Sequence, residues 1–484
     1  MPSPANLNLK QVVPLCVDLD GTVIKTDLLW EYFVRLFKQN PLSLFLVPFW
    51  WLRGRAFLKA QLARRVRIDV GSLPYCQPLL DFLRAEKMKG RPILLVTASD
   101  ARMAQGVADH LSLFTEVLAS DGATNLRGKT KGARLAERFG EGGFDYAGNS
   151  SVDLPVWQRA REAIVVNGYA GLIVRAKRCA NVAQVLGDRR MLNRAVFEVL
   201  RPHQWVKNII VFVPLLTSHH LTDWPLAWKG VLAFLAFSLC ASAIYILNDL
   251  FDLEADRHHP VKRARPFASG ELGLPVGLIL FPILLAASGV IASRLPLGFA
   301  TALGIYIALS ILYSWRVKEV PLLDVFCLAG LYTIRLIAGH EAPSVAYSFW
   351  LLVFSMFIFL SLALVKRFVE VTSARKQSGE RVQGRGYLAG DVEFVATLGP
   401  SSGYLAVLVL ALYVNSQEVR KLYENPTLLL FVCPLMLYWI SRIWFLAHRG
   451  QMHSDPIVFA LRDRASYVVG ALTLAILWLA TGHQ

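Results

Sequence analysis

Residues 230–256 read GVLAFLAFSLCASAIYILNDLFDLEAD, an uncharged apolar run that ends in a group of acidic residues. As a helix, the apolar part is long enough to cross about 30 Å of hydrocarbon. Asp249, Asp252 and Asp256 follow at spacings of three and four, so one helix would align them on one face, with Asn248 one turn from Asp252. Carboxylates at a bilayer boundary are costly and usually functional. The stretch predicts a membrane helix that ends in an acidic site.

The composition divides the chain into two parts. Of its 484 residues, 55% are hydrophobic, the mean hydropathy is +0.43, and the apolar residues are concentrated after about residue 205. We predict an α/β domain with a parallel sheet over residues 1–190, with a small helical cap near 28–70. Residues 191–484 are predicted to form an all-α polytopic membrane domain of about nine transmembrane helices. The expected spans are 207–219, 230–247, 275–293, 297–315, 321–338, 343–365, 395–415, 427–447 and 465–482.

Basic residues favour one side of the predicted spans. The connections after every second span carry most of the lysines and arginines, which predicts that these loops and the N-terminal domain are cytoplasmic. The expected location is a bacterial-type inner (plasma) membrane. The net charge is +16, but no nucleic-acid motif accompanies it, so the expected partners are anionic lipid and phosphorylated substrates rather than nucleic acid. Six scattered cysteines indicate neither a disulfide framework nor a zinc site.

Polar residues follow two apolar runs near the N-terminus. Residues 12–17 read as a short buried strand that leads into Asp18 and Asp20, and residues 93–96 lead into Thr97 and Ser99. Polar residues at the carboxyl ends of strands predict an open parallel sheet with a site across those ends. Later candidates for this site are Lys129, Lys131, Asn149 and Asp153.

These motifs, over residues 12–170, resemble the haloacid dehalogenase superfamily of phosphotransferases. The resemblance implies that Asp18 attacks phosphorus and that Asp20 protonates the leaving oxygen and later activates water. It also implies a magnesium ion held by Asp18, Asp20 and the last motif, with Asn149 and Asp153 as candidate ligands. The expected phosphate-binding residues are Thr22, Thr97, Ser99 and Lys131, with Lys129 as a weaker alternative to Lys131.

Asn149 departs from the family pattern, in which the last motif usually begins with aspartate. Its carbonyl oxygen can still bind magnesium, but it adds no negative charge, so a lowered magnesium affinity is expected. Either Asp153 compensates for the missing charge, or the domain has kept binding and lost turnover.

The predicted cap contains an apolar run, Leu42–Leu52, flanked by arginines. The run is too short to cross a bilayer. Two interpretations stay open: a packed cap helix, or a cap that dips into the lipid headgroup region through its aromatic and basic residues.

The stretch NDLFDLEADRHHPVKRARPFASG, residues 248–270, resembles the signature of the UbiA superfamily of membrane transferases. Over residues 195–484 the resemblance implies helices around a central cavity and a magnesium ion that clamps a diphosphate. The implied metal ligands and catalytic residues are Asn248, Asp249, Asp252 and Asp256. The implied cations for the released charge are Lys262, Arg263 and Arg265.

A second acidic motif, which prenyl-transferring members carry after the sixth span, is largely replaced here by cations. In its remaining candidate substrate-binding residues, the chain resembles the decaprenyl-phosphate phosphoribosyltransferase branch of the superfamily. This resemblance implies phosphoribosyl pyrophosphate and a polyprenyl phosphate as substrates. These candidates are Lys207, Asn208, Tyr313, Lys318, Arg335, Lys366, Arg367, Arg385 and Tyr387.

The two parts together favour a bifunctional enzyme. The transferase product would still carry a 5-phosphate, which a fused phosphatase would remove. The alternative is a prenyltransferase that attaches an isoprenyl chain to an aromatic or other small acceptor and carries a non-catalytic haloacid dehalogenase-like module.

Overall fold

The computed structural model describes residues 13–120, 126–187, 192–376, 382, 385–452, 456–460 and 462–481. Contacts divide the chain into two compact units. The first unit contains the chain up to Leu200 together with Ile246–Leu280, and the second contains Arg201–Tyr245 together with Phe281 onward. The acidic segment at 248–256 therefore belongs to the same unit as the N-terminal domain.

The first unit is built on a parallel six-stranded sheet, as the sequence predicts. The strands are β1 Leu15–Val17, β2 Ile93–Asp100, β3 Glu116–Ser120, β4 Asp145–Gly148, β5 Ala163–Val166 and β6 Val182–Leu186. Their order in the sheet is β3-β2-β1-β4-β5-β6, so β1 lies at the centre between β2 and β4. The order reverses at β1, and this is where open α/β sheets place their ligands.

Alternate residues of the central strands pack on opposite faces of the sheet. Leu15, Val17 and Leu95 belong to one buried cluster, whereas Cys16 and Leu94 belong to another. This period of two, with both faces apolar, is typical of a sheet covered by helices on both sides. The helices of this region are α1 Leu28–Gln39, α2 Val47–Leu52, α3 Arg55–Arg65, α4 Gln77–Met88, α5 Ala101–Leu111, α6 Lys129–Phe139, α7 Leu154–Trp157, α8 Ala170–Cys179 and α9 Leu192–Leu200.

The rest of the chain is helical. Its helices are α10 Val213–Thr217, α11 Trp224–Phe251, α12 Leu253–His258, α13 Leu274–Ala292, α14 Leu297–Trp315, α15 Leu323–Glu341, α16 Phe349–Lys376, α17 Val392–Val414, α18 Gln417–Leu422, α19 Val432–His448, α20 Pro456–Ala460 and α21 Arg464–Ala480.

Seven helices of the described residues are long and apolar enough to cross a membrane: α11, α13 to α17, and α19. The predicted first span at 207–219 is instead a 3-10 helix, Pro202–Phe212, followed by the short helix α10. The helix at the last predicted span, α21, has 17 residues. The number nine stays a prediction.

A close approach in the second unit depends on a glycine. A Cβ atom at Gly339 of α15 would lie 2.3 Å from the carbonyl oxygen of Val211. The 3-10 helix Pro202–Phe212 can therefore pack directly against the backbone of α15, and this contact helps to position its buried residues Lys207 and Asn208.

Within the first unit, helix α1 is fastened to the segment that follows α11. The Arg257 guanidinium donates two hydrogen bonds to the Glu31 carboxylate, at 2.6 and 3.1 Å. Arg35 pairs with Glu254 at 2.7 Å. Because Arg257 and Glu31 are only 7% and 5% exposed, each charge depends on the other for its stability.

We expect Glu31→Gln to destabilise the protein by about 3 kcal/mol, since it leaves the Arg257 charge buried without its partner. The matched control is Glu116→Gln, which breaks a pair with Arg138 whose side chains are 41% and 43% exposed, and this change should cost less than about 1 kcal/mol. Thermal unfolding of the two detergent-solubilised variants measures the difference. Equal shifts would show that the Arg257 pair contributes no more than a surface pair.

Candidate active sites

The first candidate site lies at the carboxyl end of β1. Asp18 follows Val17 directly, and Lys131 on α6 donates a 2.7 Å hydrogen bond to its Oδ1. Lys131 also donates to the Tyr146 hydroxyl at 2.8 Å. Of the two candidate lysines, the structure places Lys131 in the site, only 3% exposed, and leaves Lys129 exposed.

Asp20 is held by two donors. Its Oδ1 accepts a 2.9 Å bond from the backbone N–H of Leu28, and its Oδ2 accepts a 2.6 Å bond from the Ser99 hydroxyl. Thr97 is fully buried, and its hydroxyl accepts a bond from the N–H of Ser99 at 3.0 Å. The Thr22 hydroxyl is buried and has no hydrogen-bond partner within the described part of the chain. Ser99, near the carboxyl end of β2, thus lies beside Asp20, which follows β1.

The last motif forms a loop around Asp153. Its Oδ2 accepts bonds from the backbone N–H groups of Asn149 and Ser150 at 3.1 and 3.0 Å, and its Oδ1 accepts one from Tyr146. Asp153 therefore shapes the loop. Gly21 has a φ of +78°, and a Cβ there would lie 1.9 Å from the Asn149 side-chain nitrogen. The absence of a side chain at Gly21 lets the Asn149 amide lie against the Asp18–Asp20 segment.

The electrostatics of this site follow from burial. Burial raises the pKa of Asp18 to about 7, although the Lys131 charge opposes the rise. Burial likewise raises the pKa of Asp20 to about 6, and the nearby Asp27 adds to the rise. A carboxyl group with a pKa of this kind can donate and accept protons near neutral pH.

Lys59 is a site residue that the sequence analysis missed. It lies on α3, and its ammonium group donates a 2.7 Å bond to the carbonyl oxygen of Ala98, between Thr97 and Ser99. Its charge lowers the pKa of Asp20 against the effects of burial and of Asp27. In the sequence it is one of several basic residues around an apolar run, so no local pattern distinguishes it.

The oxygen-rich donor set of this site fits magnesium. Its candidate ligands are the Asp18 carboxylate, the Asp20 carbonyl and the Asn149 amide oxygen, all hard donors. In the described ranges, no three His, Cys, Asp or Glu side chains are grouped so that they could hold a metal ion. The site described here does not need three such side chains, because two of its candidate ligands are a backbone carbonyl oxygen and an asparagine amide oxygen.

The second candidate site is the acidic segment, and one expectation about it is wrong. The sequence predicts one continuous helix face, but α11 ends at Phe251 and α12 begins at Leu253, with Asp252 between the two helices. The reason is that Asp252 has φ −99° and ψ 13°, outside the helical range. The three aspartates are therefore not stacked on one helix.

Arg265 joins two of these aspartates. One of its nitrogens lies 3.0 Å from Asp249 and 2.6 Å from Asp256, both of which are buried. Burial raises the pKa of Asp256, and Arg265 opposes the rise. Asp252 instead pairs with Lys38 of α1 at 3.6 Å. Of the remaining candidates, Asn248 is half-buried, and Lys262 and Arg263 are exposed.

The second unit contains a buried network of predicted substrate-binding residues. Arg367 and Asp324 are fully buried and form an ion pair at 2.8 Å. Tyr387 donates a 2.6 Å bond to Asp324, while Arg385 donates a 2.9 Å bond to Tyr313. The network also contains Glu370, which contacts Arg367 and Arg385, whereas Lys318 and Lys366 are half-buried. Arg367 is therefore largely neutralised by carboxylates.

Arg335 of α15 lies in a different environment. It is buried and donates to the Asn208 side-chain oxygen at 2.8 Å and to the Tyr306 hydroxyl at 3.0 Å. Its guanidinium also lies 4.7 Å from the Tyr306 ring centre and 5.3 Å from that of Tyr332. Within the described residues no carboxylate forms an ion pair with it. A buried cation with neutral partners is suited to an anionic ligand.

The seven candidate membrane spans and the six-stranded sheet define a helical membrane protein with a fused α/β domain. The sequence matches the UbiA prenyltransferase family over residues 209–467. The chain belongs to this family.

Three relatives are informative. Protein y4nM of Sinorhizobium fredii is 38% identical, over 95% of this chain and 89% of its own length. Nodulation protein NoeC of Azorhizobium caulinodans is 39% identical, over 58% of this chain and 92% of its own length. The decaprenyl-phosphate phosphoribosyltransferase of Mycolicibacterium smegmatis is 33% identical, over 61% of this chain and 93% of its own length. The first relative thus matches both parts of the chain, and the other two are shorter proteins.

We expect Arg265→Gln to destabilise the metal-free protein more at pH 8 than at pH 5. Without Arg265, the pKa of Asp256 rises further above the unfolded value of about 3.9. A carboxyl group whose pKa is raised on folding favours the folded state when protonated, and this contribution is lost as the pH rises through the folded pKa.

Thermal unfolding in the presence of EDTA measures this effect as the difference from the unsubstituted protein at each pH. Arg263→Gln, a change at an exposed neighbour, is the matched control and should have little effect at either pH. An equal loss at both pH values for Arg265→Gln would contradict the role of Arg265 as the counter-ion of Asp256.

Proposed function

We propose that the chain is a bifunctional enzyme that makes a polyprenyl-phosphoryl ribose at the cytoplasmic face of a bacterial plasma membrane. The transferase part would join phosphoribosyl pyrophosphate to a polyprenyl phosphate, and the N-terminal domain would then remove the 5-phosphate. Two observations together support the proposal. The N-terminal domain holds Asp18 against Lys131 and Asp20 against Ser99, and the rest of the chain is similar to a decaprenyl-phosphate phosphoribosyltransferase, at 33% identity.

In the transferase reaction, an oxygen of the polyprenyl phosphate bonds to the anomeric carbon of the ribose as the bond from that carbon to pyrophosphate breaks. The nucleophile is already ionised, so no general base is needed. A magnesium ion would stabilise the departing pyrophosphate, with Asn248, Asp249 and Asp256 as its proposed ligands, since Asp252 pairs instead with Lys38. Arg265 pairs with both Asp249 and Asp256. We assign phosphate binding to the buried guanidinium of Arg335.

In the phosphatase reaction, an Asp18 oxygen bonds to phosphorus as the bond to the ribose 5-oxygen breaks, and the Asp20 carboxyl gives its proton to that oxygen. Asp20 then takes a proton from the water that attacks the aspartyl phosphate, so that inorganic phosphate leaves and Asp18 is regenerated. A pKa of about 6 suits Asp20 to both steps. The Ser99 hydroxyl and the Leu28 N–H fix its orientation. Lys131 and a magnesium ion held by Asp18, Asp20 and Asn149 would offset the charge of the phosphoryl group.

We expect the purified chain, given phosphoribosyl pyrophosphate, decaprenyl phosphate and magnesium, to release one pyrophosphate and one inorganic phosphate per lipid product. Asp18→Asn should release pyrophosphate alone and accumulate the 5-phosphorylated lipid. Asp249→Asn should make no lipid product but still dephosphorylate the lipid accumulated by Asp18→Asn. Mass spectrometry of the lipid identifies each product.

Two outcomes would contradict the proposal. Turnover of an isoprenyl diphosphate and a small aromatic acceptor, with none of phosphoribosyl pyrophosphate, would support the alternative prenyltransferase. Phosphate release that is unchanged in Asp18→Asn would remove the N-terminal domain from the reaction.

We also expect Lys131→Met to lower phosphatase turnover by about 10²–10³-fold, the usual effect of removing one electrostatic contact to a reacting group. Because Lys131 lowers the pKa of Asp18 and Asp18 acts in its ionised form, the acidic limb of the pH–rate profile should move to higher pH. Lys129→Met, on the exposed side of the same helix turn, is the control. Hydrolysis of p-nitrophenyl phosphate between pH 5 and pH 9 provides the measurement, and equal effects of the two changes would refute the assignment.

A further inference from the structure

The cap exposes a compact apolar surface in the 3-10 helix Pro41–Leu46 and in α2. Six large apolar side chains here are between 44% and 83% exposed. Trp50, in contrast, is buried and packs in the core beneath them. We call these six residues the cap face: Leu42, Phe45, Leu46, Phe49, Trp51 and Leu52.

Basic residues border the cap face. Residues 41–67 contain five arginines and one lysine but no aspartate or glutamate. All five arginines are exposed, and none of them forms an ion pair with a carboxylate of the described residues. Arg55 lies 5.5 Å from the Trp51 ring centre, and Arg65 lies 4.5 Å from that of Trp50. Exposed aromatic and aliphatic residues beside arginines that have no carboxylate partner in the described chain match the chemistry of an anionic lipid surface.

The position of the cap face relative to a membrane span is fixed by α1. The Lys38 ammonium donates a 2.7 Å bond to the carbonyl oxygen of Phe251, the last residue of α11, and the rings of Phe37 and Phe251 are 5.0 Å apart. Leu42 follows Lys38 by only four residues, which reach at most about 14 Å. The cap face therefore begins close to the point where a candidate membrane span ends.

We propose that Pro41–Leu52 lies in the boundary between lipid headgroups and acyl chains, in the leaflet where α11 ends. Its apolar side chains enter the acyl region, while the arginines at 53, 55, 64, 65 and 67 bind lipid phosphates. The segment has 12 residues, so it lies on the membrane rather than crossing it.

If the cap lies at the lipid surface, the N-terminal site is close to lipid-linked phosphates. This consequence rests on the proposed function. Helix α3 follows the cap face directly, and its Lys59 contacts the backbone beside Ser99 in the phosphatase site. A cap held at the lipid surface would keep this site within reach of a phosphate attached to a membrane lipid. A water-soluble phosphate ester would gain nothing from it.

Depth measurement tests the placement itself. Leu46→Cys and Phe49→Cys, each in the full-length protein labelled with the environment-sensitive NBD fluorophore, are reconstituted into vesicles of phosphatidylcholine and phosphatidylglycerol. We expect blue-shifted emission that lipids with a nitroxide high on the acyl chain quench strongly. Met88→Cys is the control, because Met88 is 84% exposed and ends α4 just before β2, at the edge of the sheet away from the carboxyl ends. The unsubstituted protein corrects for the six native cysteines.

Emission and quenching at positions 46 and 49 equal to those at position 88 would overturn the proposal. Blue-shifted emission without quenching would also overturn it, because it would show that protein, such as a second copy of the chain, covers the cap face. Neither outcome depends on enzymatic activity, so a failure of the proposed function is distinguishable from a failure of this inference.

Activity then tests the consequence. The double variant Phe45→Glu, Phe49→Glu places charges on the cap face without touching the catalytic residues. We expect it to lower the rate on the lipid-linked 5-phosphate in vesicles by about tenfold or more, the equivalent of losing one partly buried aromatic contact. Hydrolysis of p-nitrophenyl phosphate should be unchanged. Equal losses on the two substrates would contradict a membrane role.

Discussion

Each candidate site depends on a carboxylate that has left water and a cation that makes its burial tolerable. Lys131 forms an ion pair with Asp18, Arg265 with Asp249 and Asp256, and Arg367 with Asp324. An isolated buried carboxylate would take up a proton instead of staying ionised, and the raised pKa of Asp18 shows how strong that tendency is. The positions of these cations therefore decide where the fold can tolerate a buried carboxylate.

The pairs differ in how permanent they are. Arg367 and Asp324 are both fully buried, and Tyr387 adds a hydrogen bond, so this pair serves as a fixed part of the helix packing. Arg265 is partly exposed and extends from a segment without regular helix, so it can move at a smaller cost. Because one Arg265 nitrogen lies beside both Asp249 and Asp256, this cation offsets the repulsion between two buried carboxylates.

Local patterns predicted much of this architecture. The parallel sheet followed from apolar runs that end in polar residues, and Asp20 and Ser99 lie together because β1 and β2 are parallel and end at one edge. Lys131 reaches Asp18 from helix α6. The break at Asp252 was not predicted, since spacings of three and four fit a continuous helix equally well. Lys59 was missed because its role depends on how α3 folds back over the sheet, which sequence spacing does not encode.

Helix α1 places the two acidic sites of the first unit within a short distance of each other. The N–H of Leu28, at its first residue, binds Asp20, and Lys38, ten residues later, pairs with Asp252. Ten residues of helix rise about 15 Å, so the two carboxylates are separated by a distance on the order of 15–20 Å. Because α1 is fastened at both ends, a disturbance of the Arg257–Glu31 pair would change the geometry of both sites together.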